Sequence, residues 1–161
     1  RFGLFQVLSK TALARSKWLR KLGVEPLSED FDVDFLVEAC RGRSRPIKSL
    51  LLDGHIVVGV GNIYASEALF GARIRPTTPA GRISPVRMER LVAEIKQVLQ
   101  RAIDRGGTTI NDYLGSGDGG LFQQELAVYG RVGQGCIVCD KPIVNKVLSG
   151  RSTFYCTTCQ R

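Results

Sequence analysis

Apolar positions recur with helical spacing most clearly between residues 85 and 103, where Met88, Leu91, Val92, Ile95, Val98, Leu99, Ala102 and Ile103 fall on one face. That stripe predicts a long amphipathic helix whose apolar side is core and carries no chemistry. Ser84-Pro85 supplies a cap and a proline suited to the first turn, and Gly106-Gly107 ends the segment. Ile47 to Leu52 reads as a short apolar helix closed by Asp53-Gly54, and another helix starts near Asn62 and runs to about Gly71. Pro26 and Ser28 mark the entry to an earlier helix that ends near Cys40. Asp30, Asp32 and Asp34 lie near its start, where carboxylates suit the positive end of the helix dipole. Towards the C-terminus the pattern changes. Ile143 to Leu148 and Thr153 to Tyr155 are rich in strand formers, with Ser149-Gly150 as a turn between them. The expected fold class is therefore mostly α with a small β-hairpin.

Two stretches carry no periodicity. Gly115 to Gly120 reads as a loop too rich in glycine to hold one shape cheaply, and a plain linker is the simpler account of it. The first 23 residues place Lys10, Arg15, Lys17, Arg20 and Lys21 around Trp18, which reads as a solvated basic face in preference to a specific contact. Over all 161 residues, 23 Lys and Arg stand against 15 Asp and Glu, a formal charge of +8 that favours a polyanionic partner. No apolar run is long enough to cross a bilayer, and no signal-peptide pattern opens the chain. The sequence begins Arg1-Phe2-Gly3, which reads as a processed or excised piece.

Cysteine spacing carries the strongest chemical signal. Cys136-x-x-Cys139 and Cys156-x-x-Cys159, with 16 residues between the pairs, fit a four-cysteine zinc site. Each pair forms a knuckle, and a hairpin between them would bring both around one tetrahedral ion. A redox dithiol or an iron centre is the alternative. Four protein ligands leave no open position, so such a zinc is structural and does not activate water. Cys40 stands alone near a helix end and reads as a buried structural thiol.

Gly59-Val60-Gly61-Asn62-Ile63-Tyr64 superficially suggests a dinucleotide fingerprint, but Tyr64 occupies the third glycine position and no strand–helix–strand unit surrounds it. What remains is a glycine-pinched turn into a helix, with free N–H groups and an Asn that either holds a phosphate or merely caps the helix. Arg151, beside the hairpin turn, is either a phosphate contact or an ordinary exposed arginine. His55, the one histidine, reads as a surface residue.

Taken together, Asp53-Gly54, Gly59 to Glu67, Gln123-Gln124-Glu125-Leu126, Val128-Tyr129-Gly130-Arg131 and the ribbon ending Thr153-Phe154-Tyr155-Cys156 resemble the formamidopyrimidine-DNA glycosylase family over nearly the whole chain. Asn62 to Glu67 resembles that branch more closely than the related endonuclease VIII branch. The resemblance implies a helix–two-turn–helix DNA-binding domain over 24–120, a zinc ribbon over 121–161 holding one structural Zn2+, and a remnant of the N-terminal domain and linker over 1–23. It also implies that Asn62 and Arg151 hold phosphates around a lesion, and that Arg151 takes part in the last elimination step. By the same resemblance Lys48 lies near the damaged nucleotide, Arg1 contacts phosphate, Phe2 wedges into the base stack, and Arg43 lies near a further DNA contact.

The implied partner is duplex DNA carrying an oxidised purine or an abasic site. A glycosylase must swing the base out of the stack at a cost of a few kcal/mol, which a wedge and phosphate clamps offset. The intact enzyme is expected to be a bacterial, cytoplasmic, monomeric glycosylase and abasic-site lyase working through an N-terminal proline Schiff base, with no membrane partner. This chain starts downstream of that proline, so it is expected to bind DNA without catalysis, or to associate with its N-terminal domain. The segment 115–120 matches the family's lesion loop but lacks the lysine some relatives carry there. Two other accounts compete: a stand-alone zinc-ribbon nucleic-acid-binding module, and a relative that kept damage sensing but lost catalysis.

Overall fold

The computed structural model describes residues 5–107 and 126–161. Arg1, Phe2, the 115–120 glycine segment and Gln123 to Glu125 lie outside the described residues. In chain order the elements are α1 (Lys10–Ala14), α2 (Val33–Cys40), α3 (Ile47–Leu51), α4 (Asn62–Gly71), α5 (Pro85–Asp104), β1 (Val144–Leu148) and β2 (Arg151–Tyr155), with single 3-10 turns at Leu19–Lys21 and Ala80–Arg82. The mostly helical class with one small antiparallel hairpin is what the patterning predicts.

Local chemistry accounts for the element boundaries. Asp32 caps α2, its carboxylate accepting the Phe35 N–H at 2.7 Å, as its place before the apolar run leads one to expect. Pro85 opens α5, but the Ser84 hydroxyl makes no capping hydrogen bond, so only the proline half of that expected start signal acts. At the other end the Gly107 N–H returns to the Ala102 carbonyl at 2.7 Å and closes the last turn. Ile103, expected on the core stripe, is 59% exposed. It lies in the last turn, beyond the reach of α4, and the apolar face ends at Ala102. Ser149 and Gly150 take positive φ of 49° and 75°. Such a pair of left-handed residues forms the two-residue turn whose twist matches a tight hairpin.

One core gathers Phe31, Leu36, Ile47, Leu50, Leu51, Leu69, Ile74, Met88, Leu91 and Ile95, all at most 1% exposed, between the helices. Helix α4 is buried from Ala65 to Phe70 because it is sandwiched between α5 and the hairpin. Its small residues Ala65, Ser66 and Ala68 let both neighbours approach, so it shows no amphipathic stripe in the sequence. A second cluster joins Val128, Ile143, Cys136 and Cys156 to Phe70 of α4. The ribbon thus leans on the helical part for much of its apolar contact. Residues 10–22 stand apart from both cores: Trp18 is 58% exposed, and the Lys17 ammonium sits 5.3 Å from its ring centroid. That is the solvated basic face expected there. No helix among the described residues is long and apolar enough to cross a membrane.

Candidate nucleic-acid interface

Hairpin pairing from Val144↔Tyr155 to Leu148↔Arg151 brings the two cysteine knuckles to one end of the ribbon. The four sulfurs of Cys136, Cys139, Cys156 and Cys159 lie within 4.8 Å of one another. Across the knuckles, Cys136 and Cys159 are 3.9 Å apart and Cys139 and Cys156 3.5 Å. A tetrahedral ion with metal–sulfur bonds of about 2.3 Å requires sulfurs roughly 3.8 Å apart, so the cage fits zinc. The Cys159 N–H points at the Cys156 sulfur from 3.4 Å, and the Cys156 N–H is held at 2.9 Å by the side chain of Gln160. That second hydrogen bond fixes the knuckle from behind, as supporting shells of metal sites do.

At the opposite end of the ribbon, the hairpin turn meets the start of α4. Gly59, with φ of 73°, and Gly61 pinch the chain so that α4 begins beside the turn. Gly61 is the cap residue, and Asn62 is already the first helical residue; its side chain caps nothing. The simpler account of Asn62 as a helix cap is therefore wrong. Its amide instead crosses to the ribbon, where Nδ2 donates to the Ser152 carbonyl at 3.0 Å and approaches the Tyr129 hydroxyl at 3.5 Å. Asn62 Oδ1 is buried without a hydrogen-bond partner among the described residues. That orphan is an acceptor, so a phosphate would engage the Nδ2 side of this amide and not the buried oxygen. Arg151, the neighbour of Ser152 in the chain, is exposed. Asn62, expected from the sequence together with Arg151 as a contact for one strand, is thus bonded to the residue that follows Arg151 in the chain.

Lys48 belongs to the same cluster but points inward. It is 1% exposed, and its ammonium donates to the Ser152 carbonyl at 3.0 Å and to the Thr153 hydroxyl at 2.9 Å. Burial, and then the positive charge of Arg151, push its pKa down to about 8. Lys48 thus clamps the hairpin from beneath while adding positive potential under Arg151. Next to it, the Ser49 and Ser149 hydroxyls share a hydrogen bond of 2.9 Å that ties the turn itself to α3.

A pH dependence follows. Unfolded lysine titrates near 10.4, so between about pH 8 and that value the unfolded chain holds a proton that the folded chain has released. Stability therefore rises with pH across this window, and the cost of the buried charge is fully present below it. Urea unfolding of the wild type and of Lys48→Met, compared at pH 7 and pH 10, should show the wild type gaining on the order of 2 kcal/mol relative to the variant. The comparison cancels the contribution of the metal site. A difference that stays constant with pH would show that Lys48 is not a buried cation.

Arg43 does not join this cluster. It stands in the α2–α3 loop, its N–H bonded to the Cys40 carbonyl and its own carbonyl accepting the Gly81 N–H. Cys40 is 1% exposed and pushed up to about 11, by burial against a smaller opposing effect of Arg43, which makes it an inert structural thiol. His55 is exposed, with Nδ1 2.6 Å from the Lys21 carbonyl, as a surface residue should be. Its N–H helps to hold Asp53 below the usual carboxylate range, after the larger effect of the hydrogen bond from Arg45.

The residues that position the site were not legible as chemistry. Glu67 is 7% exposed, and its carboxylate accepts the N–H groups of Ala127, Val128 and Tyr129 at 2.8, 3.0 and 2.8 Å. It seats Tyr129, whose ring packs edge-on to Phe154 at 4.9 Å and whose hydroxyl faces Asn62. The available signal was its position: an acidic residue in the middle of an otherwise apolar and small-residue helix, Ala65 to Phe70, is buried and must have partners. Further along, Gln160 Nε2 donates to the Ile74 carbonyl at 2.9 Å, and Arg75 reaches the Gln160 and Thr157 carbonyls at 3.3 and 3.0 Å. From turn to knuckles, the ribbon is fastened along α3, α4 and the segment after it.

Residues 22–113 match the model of the formamidopyrimidine-DNA glycosylase H2TH domain, and residues 133–161 match a zinc finger found in FPG and IleRS. The formamidopyrimidine-DNA glycosylase of Cupriavidus pinatubonensis is 53% identical over 163 residues, covering 99% of this chain and 57% of that protein. That of a Janthinobacterium species is 49% identical, with 100% and 60% covered. The chain therefore spans little more than half the length of these curated relatives. Among solved structures, the MutM (Fpg) protein of Thermus thermophilus superposes with a TM-score of 0.83 at 43% identity, covering 88% of this chain and 55% of that one. A complex between Lactococcus lactis Fpg and DNA containing an abasic site gives 0.88 at 35% identity, with 96% and 57% covered. The zinc-finger match and the sulfur cage together assign one structural zinc to Cys136, Cys139, Cys156 and Cys159.

Proposed function

The chain belongs to the formamidopyrimidine-DNA glycosylase family, and from that membership we propose that it is the duplex-gripping half of a base-excision enzyme that acts on oxidised purines. The observation that carries the reading is the 3.0 Å hydrogen bond from Asn62 to the Ser152 carbonyl, which sets a helix-tip amide beside the arginine of the hairpin turn. One Nδ2 hydrogen of Asn62 is committed to the Ser152 carbonyl, and the second, held only by the 3.5 Å approach to the Tyr129 hydroxyl, is the one that would turn to a phosphate. The exposed Arg151 guanidinium and the N–H groups at the start of α4 are further donors for the same strand. Lys48 supports them from below as a buried cation, and Arg1, Phe2 and Arg43 are further contacts taken from the family resemblance. The lesion-bearing DNA bound by the Lactococcus relative supports the choice of partner.

Excision in the intact enzyme would begin with attack of an N-terminal proline amine on the sugar C1′, and Arg151 would assist the final elimination. The residues described in this chain supply the duplex grip of that reaction. A free-standing zinc-ribbon module is the weaker reading, because this ribbon shares its apolar cluster with Phe70 and is pinned along α4.

Fluorescence anisotropy with a duplex carrying an abasic-site analogue tests the proposal. Affinity should fall steeply between about 50 and 200 mM salt as counterions are released. Asn62→Ala and Arg151→Ala should each weaken binding about tenfold or more, the loss of one charge-assisted hydrogen bond, without altering base preference. Unchanged affinity in a correctly folded variant would remove that residue from the interface.

A further inference from the structure

We infer that the basic groove between the start of α5 and the zinc knuckles, distant from Asn62 and Arg151, docks an acidic peptide segment of another protein. The inference goes beyond the duplex reading and does not depend on it. Helix α4 and strand β2, each with the residues that follow it, run side by side from the Asn62–Ser152 contact to the Ile74–Gln160 contact. The far end of α4 lies roughly 15 Å from its start, at 1.5 Å per helical residue. Beyond that end opens a cavity of 490 Å³ lined by Arg73, Arg87, Arg90, Val138, Thr158, Cys159 and Arg161.

Four guanidiniums line this groove, and none of them forms an ion pair with an acidic side chain among the described residues. The ion pairs among the described residues are Arg41–Glu38 and Arg45–Asp53, and both are elsewhere. Two acids of α5 lie near Arg90, the exposed Glu89 beside it in the chain and Glu94 a turn further on, and the Glu94 carboxylate lies against Gly71. Arg87 is fixed in place, its guanidinium donating to the main-chain oxygens of Arg73 and Arg161, so Arg87 is already answered within the fold and Arg73, Arg90 and Arg161 are left to face a ligand. Arg73, Arg90 and Arg161 are exposed and offer forks that match carboxylates in bidentate fashion.

The apolar part of the groove decides what the anion belongs to. Val138 is 61% exposed and its neighbour Ile137 64%, on the flank of the first knuckle. A sugar–phosphate backbone offers those aliphatic side chains nothing to bury. An extended peptide alternating carboxylates with apolar side chains satisfies both the forks and the valine. The cavity also has the volume of a pocket for a few side chains, whereas a duplex needs an open face.

The test uses the whole chain, zinc-loaded, and a labelled peptide of aspartates interspersed with leucine, with an all-aspartate peptide of equal charge and a plain duplex as controls. The mixed peptide should bind more tightly than the all-aspartate one. Arg90→Glu should weaken it about tenfold or more, as loss of a charge-assisted contact predicts, and Val138→Asp should weaken the mixed peptide selectively. Both variants change exposed positions, and both should keep wild-type affinity for duplex. The proposal is overturned if Arg90→Glu leaves peptide binding unchanged, or if the two peptides bind equally and Val138→Asp affects neither selectively. It is also overturned if Arg90→Glu weakens duplex binding as much as Asn62→Ala does, since the groove is then part of the nucleic-acid surface.

Discussion

Zinc removal unfolds the ribbon and abolishes duplex binding, while α2 to α5 keep their helical signal. The ribbon's own apolar cluster is small, Val128, Ile143 and the cysteines with Ala127, Phe154 and Phe70 borrowed from α4, and the hydrogen bonds that fasten it to the helices need the hairpin to be formed first. Structural zinc contributes about 10–16 kcal/mol to small folded units of this kind, far more than so few apolar contacts supply. With the hairpin gone, Ser152 no longer meets Asn62, and Arg151 loses its place beside it. Amide chemical-shift dispersion of residues 144–155, followed with duplex affinity during titration with a chelator, reads both effects together. Dispersion and affinity that persist in demonstrably metal-free protein would refute the structural role of the ion.

Glu67→Ala should be the most damaging single substitution outside the cysteines. It deletes the acceptor for three main-chain N–H groups in a setting where Glu67 itself is 7% exposed. Each buried donor left without a partner costs about 1–3 kcal/mol, so a loss of about 3 kcal/mol or more in unfolding free energy is expected. Glu67→Gln, which keeps an acceptor oxygen, should recover part of it. Because Tyr129 is seated by this carboxylate and faces Asn62, duplex affinity should fall in both variants even where the protein remains folded. A thermal-melt shift too small to resolve, together with wild-type affinity, would show that water replaces the carboxylate.

The two kinds of information in the chain explain what could be read beforehand. Helix α5 was legible because one face is apolar and the other is wet, and the knuckles because metal coordination fixes both residue type and spacing. The end of α4 at Gly71 was marked by its glycine. Its burial on every side was not, because residues wedged between two neighbours show no periodicity. Asn62 was recognisable as important, but its role as a bridge to Ser152 depends on a partner 90 positions later in the chain. The burial of Lys48 was not legible for a related reason: its acceptors, the Ser152 carbonyl and the Thr153 hydroxyl, come together only in the packed hairpin. Glu67, Gln160 and Arg75 act on main-chain atoms. No complementary residue type therefore existed in the sequence to reveal their targets.

That preference for main-chain targets has an implication for how such molecules change over time. Lys48, Asn62, Glu67, Arg75 and Gln160 all grip carbonyls or amides belonging to residues 74, 127–129, 152, 157 and 160, whatever side chains those residues bear. The seam between the two parts is thus written into the path of the chain more than into its letters. Substitutions at the gripped positions can accumulate without loosening the joint, and a foreign ribbon following the same course would be accepted as a replacement module.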